Sequence, residues 1–496
     1  MSAELEGIYK HIDDEIDVYI EKYQESVRQR SISQTGDGVM DMAKLMAGHF
    51  KALGCNDISI IGSLGNPVGQ GGTEGNPVVF GRYDAGKEKT LIIYFMYDTM
   101  PIFAPEQWSV PPFEARIVDT EKPFPRVLMG RGATNTKGSQ MSFLAACYSI
   151  IAVNGELPVN LMLIAEGDEE RQSMGLVKFV NENVEQLSQA DALFFPGLGQ
   201  NKNGYANPIS GSEGLLYLDL ITSGEHWGRG PTKYNVHGAY KLILDSPAWR
   251  HIQMLSSITS KDGNTILIDD WYNDLVTEQT AEDSKMIDEM IEKGAFDIEL
   301  IKEGFGVDVF IDDIEDPRKL LTMQLYGTSF NLDGIYGGRM TPGAGAVMPL
   351  KIISKHNIRF NANQDANDLV MKLRRHLDNQ GYVDVKIDVV GVMDWCLNNW
   401  DHELARAVLK MYEEFNVGYV LKPPTAVSGE MAPAWPAYLF GKNPLRLPIM
   451  GGSLGHGGRA HTVDEYYVIE GTGKVHGFPE AIKGCASVLF NYASNS

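Results

Sequence analysis

Four short segments of this 496-residue chain carry side chains able to move a proton or hold a cation. Tyr94-Phe-Met-Tyr-Asp-Thr-Met-Pro101 places Asp98 just past an apolar run, and Gln107-Trp-Ser-Val-Pro-Pro-Phe113 follows it. Gly130-Arg-Gly-Ala-Thr-Asn-Thr-Lys-Gly138 brings Asn135 and Lys137 to the start of a helix-like stretch. Ala165-Glu-Gly-Asp-Glu-Glu170 ends a second apolar run on the adjacent acids Glu169 and Glu170. Arg459-Ala-His-Thr-Val-Asp-Glu465 supplies His461 near the C-terminus. Neighbouring carboxylates buried without a cation have raised pKa values, because desolvation penalises the charged form, and the two share a proton. An acid and a base in one pocket suit hydrolysis or proton transfer. Taken singly, each segment has a plain structural reading: a strand-to-helix turn, a solvated acidic rim, a packing histidine. Together, their order and spacing argue for one site.

The elements that must position these residues follow from hydrophobic patterning. Apolar residues at helical spacing predict two helices in the first fifty-odd residues. The short runs 58–61, 78–80 and 91–96 predict buried strands. Helices are expected at 138–152 and 176–184, and strands at 159–165 and 192–195, which indicates an α/β sheet with helices on both faces. In open sheets of this kind ligands bind beyond the carboxyl ends of the strands, where Asp98 and Glu169 fall. After residue 210 the rhythm changes. A half-exposed strand at 215–222, a helical stretch within 236–258, an apolar run at 320–325, a strand at 347–360, a helix at 365–377 and a strand at 383–390 predict an inserted α+β module. From residue 401 the α/β pattern resumes, with helices to 415 and at 479–492. The expected division is therefore a discontinuous catalytic domain (1–212 and 393–496) and an inserted domain (213–392).

Composition bounds the partners. With 43 Lys and Arg against 65 Asp and Glu the formal charge is −22, a field that repels phosphate backbones and anionic headgroups. Nucleic acid and membrane are therefore not expected partners, and solubility accounts for the acidity. Cys55, Cys147, Cys396 and Cys485 are far apart with no C-x-x-C pair, which argues against a disulfide framework or a cysteine zinc site and for a reducing compartment. The N-terminal residues are acidic and amphipathic, unlike a signal peptide. The longest apolar runs fall far short of the roughly 18 residues of a membrane span. A cytoplasmic protein is the expectation.

On the four motifs, the chain resembles the M20 family of metallopeptidases and amidohydrolases, in its dipeptidase-like branch. The family pattern is a strand ending in His-x-Asp with a downstream W-x-x-x-P-F, then GRG-x-x-D-x-KG, then EG-x-EE, then a C-terminal His before an acidic residue. The resemblance implies a zinc-peptidase-like catalytic domain, with helices on both faces of a mixed sheet, plus an inserted α+β lid and dimerisation domain. His237, in Asn235-Val-His-Gly238, matches a family histidine that reaches into the neighbouring subunit's site, and Arg359 resembles the arginine of the lid strand. A homodimer through the lid domain is implied.

The resemblance also implies two divalent ions, usually zinc, held by five ligands, and here the chain departs from it. Met96 stands in place of the first His, Asn135 in place of the bridging Asp, and Gly197 where a later carboxylate belongs. Glu170 and His461 remain, as ligands only if one ion is retained. A thioether, an amide and a glycine make a poor zinc site, so the expected cofactor is none, or one weakly bound zinc at most. The matches to catalytic residues persist: Glu169 to the general base, Asp98 to the acid that orients a ligand His. His237, Lys137, Arg459 and Asn135 are candidates to bind substrate or stabilise an oxyanion in place of a Lewis acid, and Arg359 to clamp a substrate carboxylate. Lys137 and Arg459 also read as a helix-start lysine and a loop salt bridge, and Arg359 as a structural ion pair. Tyr97 and His456 read as structural. The expected function is hydrolysis of a C–N bond in a small amide or peptide-like molecule. The alternatives are a non-catalytic ligand-binding or assembly subunit, and a changed reaction such as amide formation or deamination.

Overall fold

Every residue of the strands Thr90–Met96 and Asn160–Glu166 is buried, so the sheet they share is covered on both faces, as continuous Val, Ile, Leu and Phe runs require. The computed structural model describes residues 3–63, 75–120, 123–197, 199–276, 278–423, 425–426 and 434–494. These divide into two units. One comprises Met1–Gly211, Asn398–Pro424 and Pro436–Ser496, the other Ser212–Leu397 and Thr425–Trp435.

The first unit is built on a mixed six-stranded sheet in the order Asn56–Ile61, Val78–Tyr83, Asn160–Glu166, Thr90–Met96, Ala192–Phe195 and Ile449–Gly451. The first two pairings are antiparallel and the rest parallel. Thr90–Met96 and Asn160–Glu166 run in register, with Met96 opposite Glu166, so the segments following both strands emerge side by side. The helices Gly138–Asn154 and Phe478–Ser494 join the sheet residues in one large core. A second, antiparallel sheet orders Gly457–Gly458, Tyr466–Glu470, Arg126–Met129 and Arg116–Asp119. Its strands flank the two loops that carry Asn135 and His461.

The second unit is an α+β module. Its antiparallel sheet runs Asn331–Tyr336, Lys351–Phe360, Gly214–Ser223, Lys386–Met393. Along Gly214–Ser223 buried and half-buried residues alternate, as the period-two pattern predicts. Leu216, Leu218 and Leu220 pack with Met254 and Ile258 of the helix Pro247–Ile258 and Leu369, Leu373 and Leu377 of Ala366–Asn379.

Three local expectations need correction. The first fifty-odd residues form three helices, Ala3–Asp14, Ile16–Arg28 and Val39–Ala52, because the backbone at Glu15 leaves helical geometry. The strand expected at 383–390 lies at Lys386–Met393 instead, with Val383 exposed before it. The helices Ala281–Glu292 and Ile298–Phe305 were not anticipated, although Thr280 and Asp283 form a reciprocal capping box at the first.

Candidate active site

The site begins where the two central parallel strands end. Asp98, fully buried, accepts the Glu169 N–H at Oδ1 (3.2 Å) and the Glu170 N–H at Oδ2 (3.1 Å). One carboxylate thus fixes the start of the 3-10 turn Glu169–Arg171. Burial, then the charges of Glu170 and Asp168, push the Asp98 carboxyl up to about 8. Glu169 is raised well above the carboxylate range by burial, with Glu170, Asp98 and Glu166 adding like charge. Among the described residues the Glu169 carboxylate has no hydrogen-bond partner. Glu166, fully buried, accepts from Tyr94 Oη (2.6 Å) and Ser173 Oγ (3.0 Å), and burial raises it strongly. Asp168, lifted by burial to about 6, is tempered by Arg171 at 3.5 Å. Burial and like charge thus favour the protonated form across this cluster of carboxyl groups.

Asn135, Glu170 and His461 converge beside this cluster. Asn135 Nδ2 donates to Glu170 Oε1 at 3.0 Å and lies 2.8 Å from His461 Nε2, which is itself 2.8 Å from Glu170 Oε1. The hydrogen bond to Glu170 raises the His461 pKa. Gly132, at φ +85°, lets the loop carrying Asn135 reverse, a conformation a Cβ would strain.

The residues where a second ion would bind are of another kind. Met96 is buried, and its carbonyl accepts from Thr136 Oγ1 (2.9 Å). The Phe195 ring, edge-on to Tyr94 at 5.3 Å, fills the space in front of Gly197: a Cβ placed there would lie 2.6 Å from Phe195 Cζ. Among the described residues no group of three or more His, Cys, Asp and Glu side chains could hold a metal ion. These residues do not fit a two-ion centre. Zinc sites use thiolate, imidazole or carboxylate donors, and a thioether, an amide and a glycine stand at three of the positions where the family resemblance expects ligands.

The other candidates have local roles. Lys137, fully buried, donates to the carbonyls of Ser26 (3.0 Å) and Gln29 (2.7 Å), which end the helix Ile16–Arg28. Its side-chain nitrogen is engaged by these backbone carbonyls, and burial lowers its pKa to about 7. Arg459 is exposed and 3.8 Å from Asp464, the loop salt bridge of its plainer reading. His237 and Arg359 lie in the second unit. His237 is exposed and accepts the Ala239 N–H at Nδ1 (3.2 Å), capping a 3-10 turn. Arg359 is ion-paired with Glu213. Tyr97 donates to the Pro77 carbonyl (2.6 Å), and His456 bonds the Gln200 carbonyl (2.8 Å) and Tyr466 Oη (3.2 Å), both framework contacts. Sequence reasoning missed Glu465 and Phe195. Glu465 had a visible signal, an acid four residues after His461; Phe195 read as one more apolar strand residue.

Comparison with known proteins adds a lineage to this geometry. A family model described as peptidase family M20/M25/M40 matches residues 92–487. The Cys-Gly metallodipeptidase DUG1 of Candida albicans is 28% identical over 371 residues, 72% of this chain and 71% of that one. The Beta-Ala-His dipeptidase of Rattus norvegicus is 25% identical over 391 residues, 76% and 74% of the two chains. The solved structure of the dipeptidase Dug1p from Saccharomyces cerevisiae superposes with a TM-score of 0.81 at 21% identity, covering both chains fully; at that identity the likeness shows the fold.

Proposed function

This chain belongs to peptidase family M20/M25/M40, and from that premise we propose that it is a peptidase-like hydrolase of the C–N bond in a small amide or dipeptide-like molecule, working with the usual two-metal centre lost or reduced. The observation that supports the reading is Glu169: a carboxylate with no hydrogen-bond partner among the described residues, its backbone N–H held by Asp98, next in the chain to Glu170, which meets Asn135 and His461. Relatives named as dipeptidases for Cys-Gly and Beta-Ala-His support the substrate class.

In the proposed reaction Glu169 takes a proton from water as its oxygen attacks the amide carbon. The Asn135 amide, and His237 delivered by a partner subunit, stabilise the oxyanion. Glu169 then returns the proton to the leaving nitrogen as the C–N bond breaks, giving a carboxylate and an amine. Asp98 acts as a positioning residue. No step passes through a metal; at most one weakly held divalent ion binds at Glu170 and His461. Arg359 is offered as a clamp for a substrate carboxylate.

The assembly proposed is a homodimer through the second unit. His237 shares its stretch of chain with Leu242 and Ile243, 93% and 77% exposed, and Tyr234 and Trp249 are also exposed; apolar side chains facing solvent there support a face covered by a partner. Light scattering at micromolar concentration is expected to give twice the chain mass, and a monomer would remove His237 from the mechanism. A cytoplasmic location is proposed on the four unpaired, buried cysteines. Among the described residues no helix is long and apolar enough to cross a membrane.

The deciding test is Glu169→Gln, which keeps shape and removes the proton acceptor. On a dipeptide the wild type hydrolyses, turnover is expected to fall about 10²–10⁴-fold with binding little changed. Unchanged turnover would reject the mechanism. A dipeptide that binds but is never cleaved would favour the non-catalytic reading, for which Met96, Asn135 and Gly197 speak.

A further inference from the structure

Glu465, at the end of the fourth motif, has been given no role above, yet its carboxylate accepts four hydrogen bonds. It is fully buried. Its Oε1 accepts the Thr134 N–H (3.1 Å) and the Asn135 N–H (3.0 Å). Its Oε2 accepts the Gly132 N–H (3.1 Å) and Arg131 Nη1 (2.8 Å). Its own carbonyl accepts the Gly130 N–H (2.9 Å). Arg131, equally buried, donates from Nη2 to the carbonyls of His461 (3.2 Å) and Pro101 (3.3 Å), and its guanidinium lies 5.4 Å from the Trp108 ring centre.

We propose that Glu465 and Arg131 form the positioning pair of the site, a buried fork that sets the Asn135 amide and the His461 ring against Glu170. The inference rests on the reading of that trio as part of the active site. Glu465 grips the backbone on which Asn135 rides, and Arg131 grips the backbone on which His461 rides, so the fork fixes their separation. The His461 loop needs such a hold. Arg459, His461 and Asp464 all have positive φ, at 58°, 62° and 57°, a conformation non-glycine residues keep only when the surroundings over-determine it. Asp464 adds a second tether, accepting from Ser109 N–H (2.7 Å) and Ser109 Oγ (2.5 Å). Arginine suits the post because its planar fork reaches a carboxylate and two carbonyls at once, where a lysine is a single point charge.

The experiment compares Arg131→Lys with wild type. The lysine keeps the charge opposite Glu465 and loses the reach to the His461 carbonyl, so the variant is expected to fold, as judged by circular dichroism and cooperative melting. Two readouts follow. Ring resonances of His461, assigned with His461→Gln in ¹⁵N-histidine-labelled protein, should shift. Turnover of a dipeptide the wild type cleaves should fall about 10²-fold with KM within about threefold, as misplacement by an ångström produces. Glu465→Gln, whose amide would face the Arg131 and Gly132 donors, should shift the same resonances further. If Arg131→Lys folds and neither His461 resonances nor kcat move, the pair is only structural and the proposal is overturned. Shifted resonances in a protein that cleaves no dipeptide would uphold the positioning pair and reject the hydrolase reading, so the two failures are separable. Should Arg131→Lys not fold, Trp108→Leu removes the ring beside the guanidinium instead. The same two readouts then apply: movement of both supports the pair, and movement of neither overturns it.

Discussion

One half of the site is made of Met96, Phe195 and Gly197, buried and apolar, with an aromatic ring filling the space in front of the glycine. The other half is made of Asn135, Glu170 and His461, whose polar atoms meet within 2.8–3.0 Å and whose histidine is 47% exposed. Both halves lie near the carboxyl end of the same sheet, and both depart from a two-ion ligand set. They depart differently. In the first half no side chain offers a zinc donor and a ring packs against the glycine; in the second an amide, a carboxylate and an imidazole bond to one another. A ligand position closes only when the space is filled as well as the donor removed. An unfilled position keeps polar groups that chemistry can use.

The comparison is broken most directly from its polar half. Asn135→Ala removes the amide that donates to Glu170 and lies against His461. If this half supplies the oxyanion donor, kcat should drop about 10²–10³-fold, the usual cost of removing one such donor. Steady-state kinetics on a cleaved dipeptide measure it. A drop under threefold would place the chemistry elsewhere.

Asp98 sits where the two halves meet, and pH reads its situation. Its folded pKa is pushed to about 8, against roughly 3.9 for an unfolded Asp. Between those values the folded state holds a proton the unfolded state has lost, so stability falls as pH rises through the window. At about 1.4 kcal/mol per unit, the loss from pH 5 to pH 7 is at most about 3 kcal/mol. Urea unfolding at the two pH values is expected to show wild type losing stability relative to Asp98→Asn as pH rises, because the other titrating groups are common to both. Parallel pH dependences in the two proteins would mean that Asp98 is ionised throughout, as beside a bound cation.

Much of this contrast was legible in the sequence, and the part that was not has a physical cause. The strand ends and the helix after Gly138 follow from hydrophobic runs, because a buried parallel strand and the polar turn beyond it are local patterns; the trio of Asn135, Glu170 and His461 was grouped by the family resemblance. The thioether, amide and glycine at positions 96, 135 and 197, where the family resemblance expects ligands, were equally visible. The Phe195 ring in front of Gly197 was not, since a phenylalanine in a buried strand reads the same whichever neighbour it packs on. Nor was the spending of Lys137 on the carbonyls of Ser26 and Gln29, or the four donors converging on Glu465, because these contacts join segments more than a hundred residues apart. Pairings of that range are set by tertiary packing, which spacing along the chain does not encode.

Restoring the ligands tests whether filled space is the real barrier. In Met96→His/Asn135→Asp/Gly197→Asp the new Cβ at 197 presses into the Phe195 ring, an overpacking that typically costs about 1–3 kcal/mol. Titration calorimetry with zinc is expected to show little gain in the triple variant and a clear gain once Phe195→Ala is added. Two zinc ions bound by the triple variant alone, with an unchanged melting temperature, would show that donor loss by itself explains the apolar half.

The smallest effect is expected at Met96 itself. If its thioether is packing, Met96→Leu conserves volume and apolarity, and such swaps usually cost less than about 1.5 kcal/mol. The main-chain role of the position is kept, because the Met96 carbonyl still accepts from Thr136 Oγ1 at the strand end. Asn135 lies one residue from Thr136, so this bond, from the Thr136 hydroxyl to the Met96 main chain, holds the polar half in place whatever side chain stands at 96. Turnover and the zinc response of Met96→Leu should therefore match wild type within about twofold, while the polar-half variant Asn135→Ala fails. A Met96→Leu protein that melts normally yet loses turnover more than tenfold would give the sulfur a direct part in the chemistry, and the division of the site into a packed half and a reactive half would no longer stand.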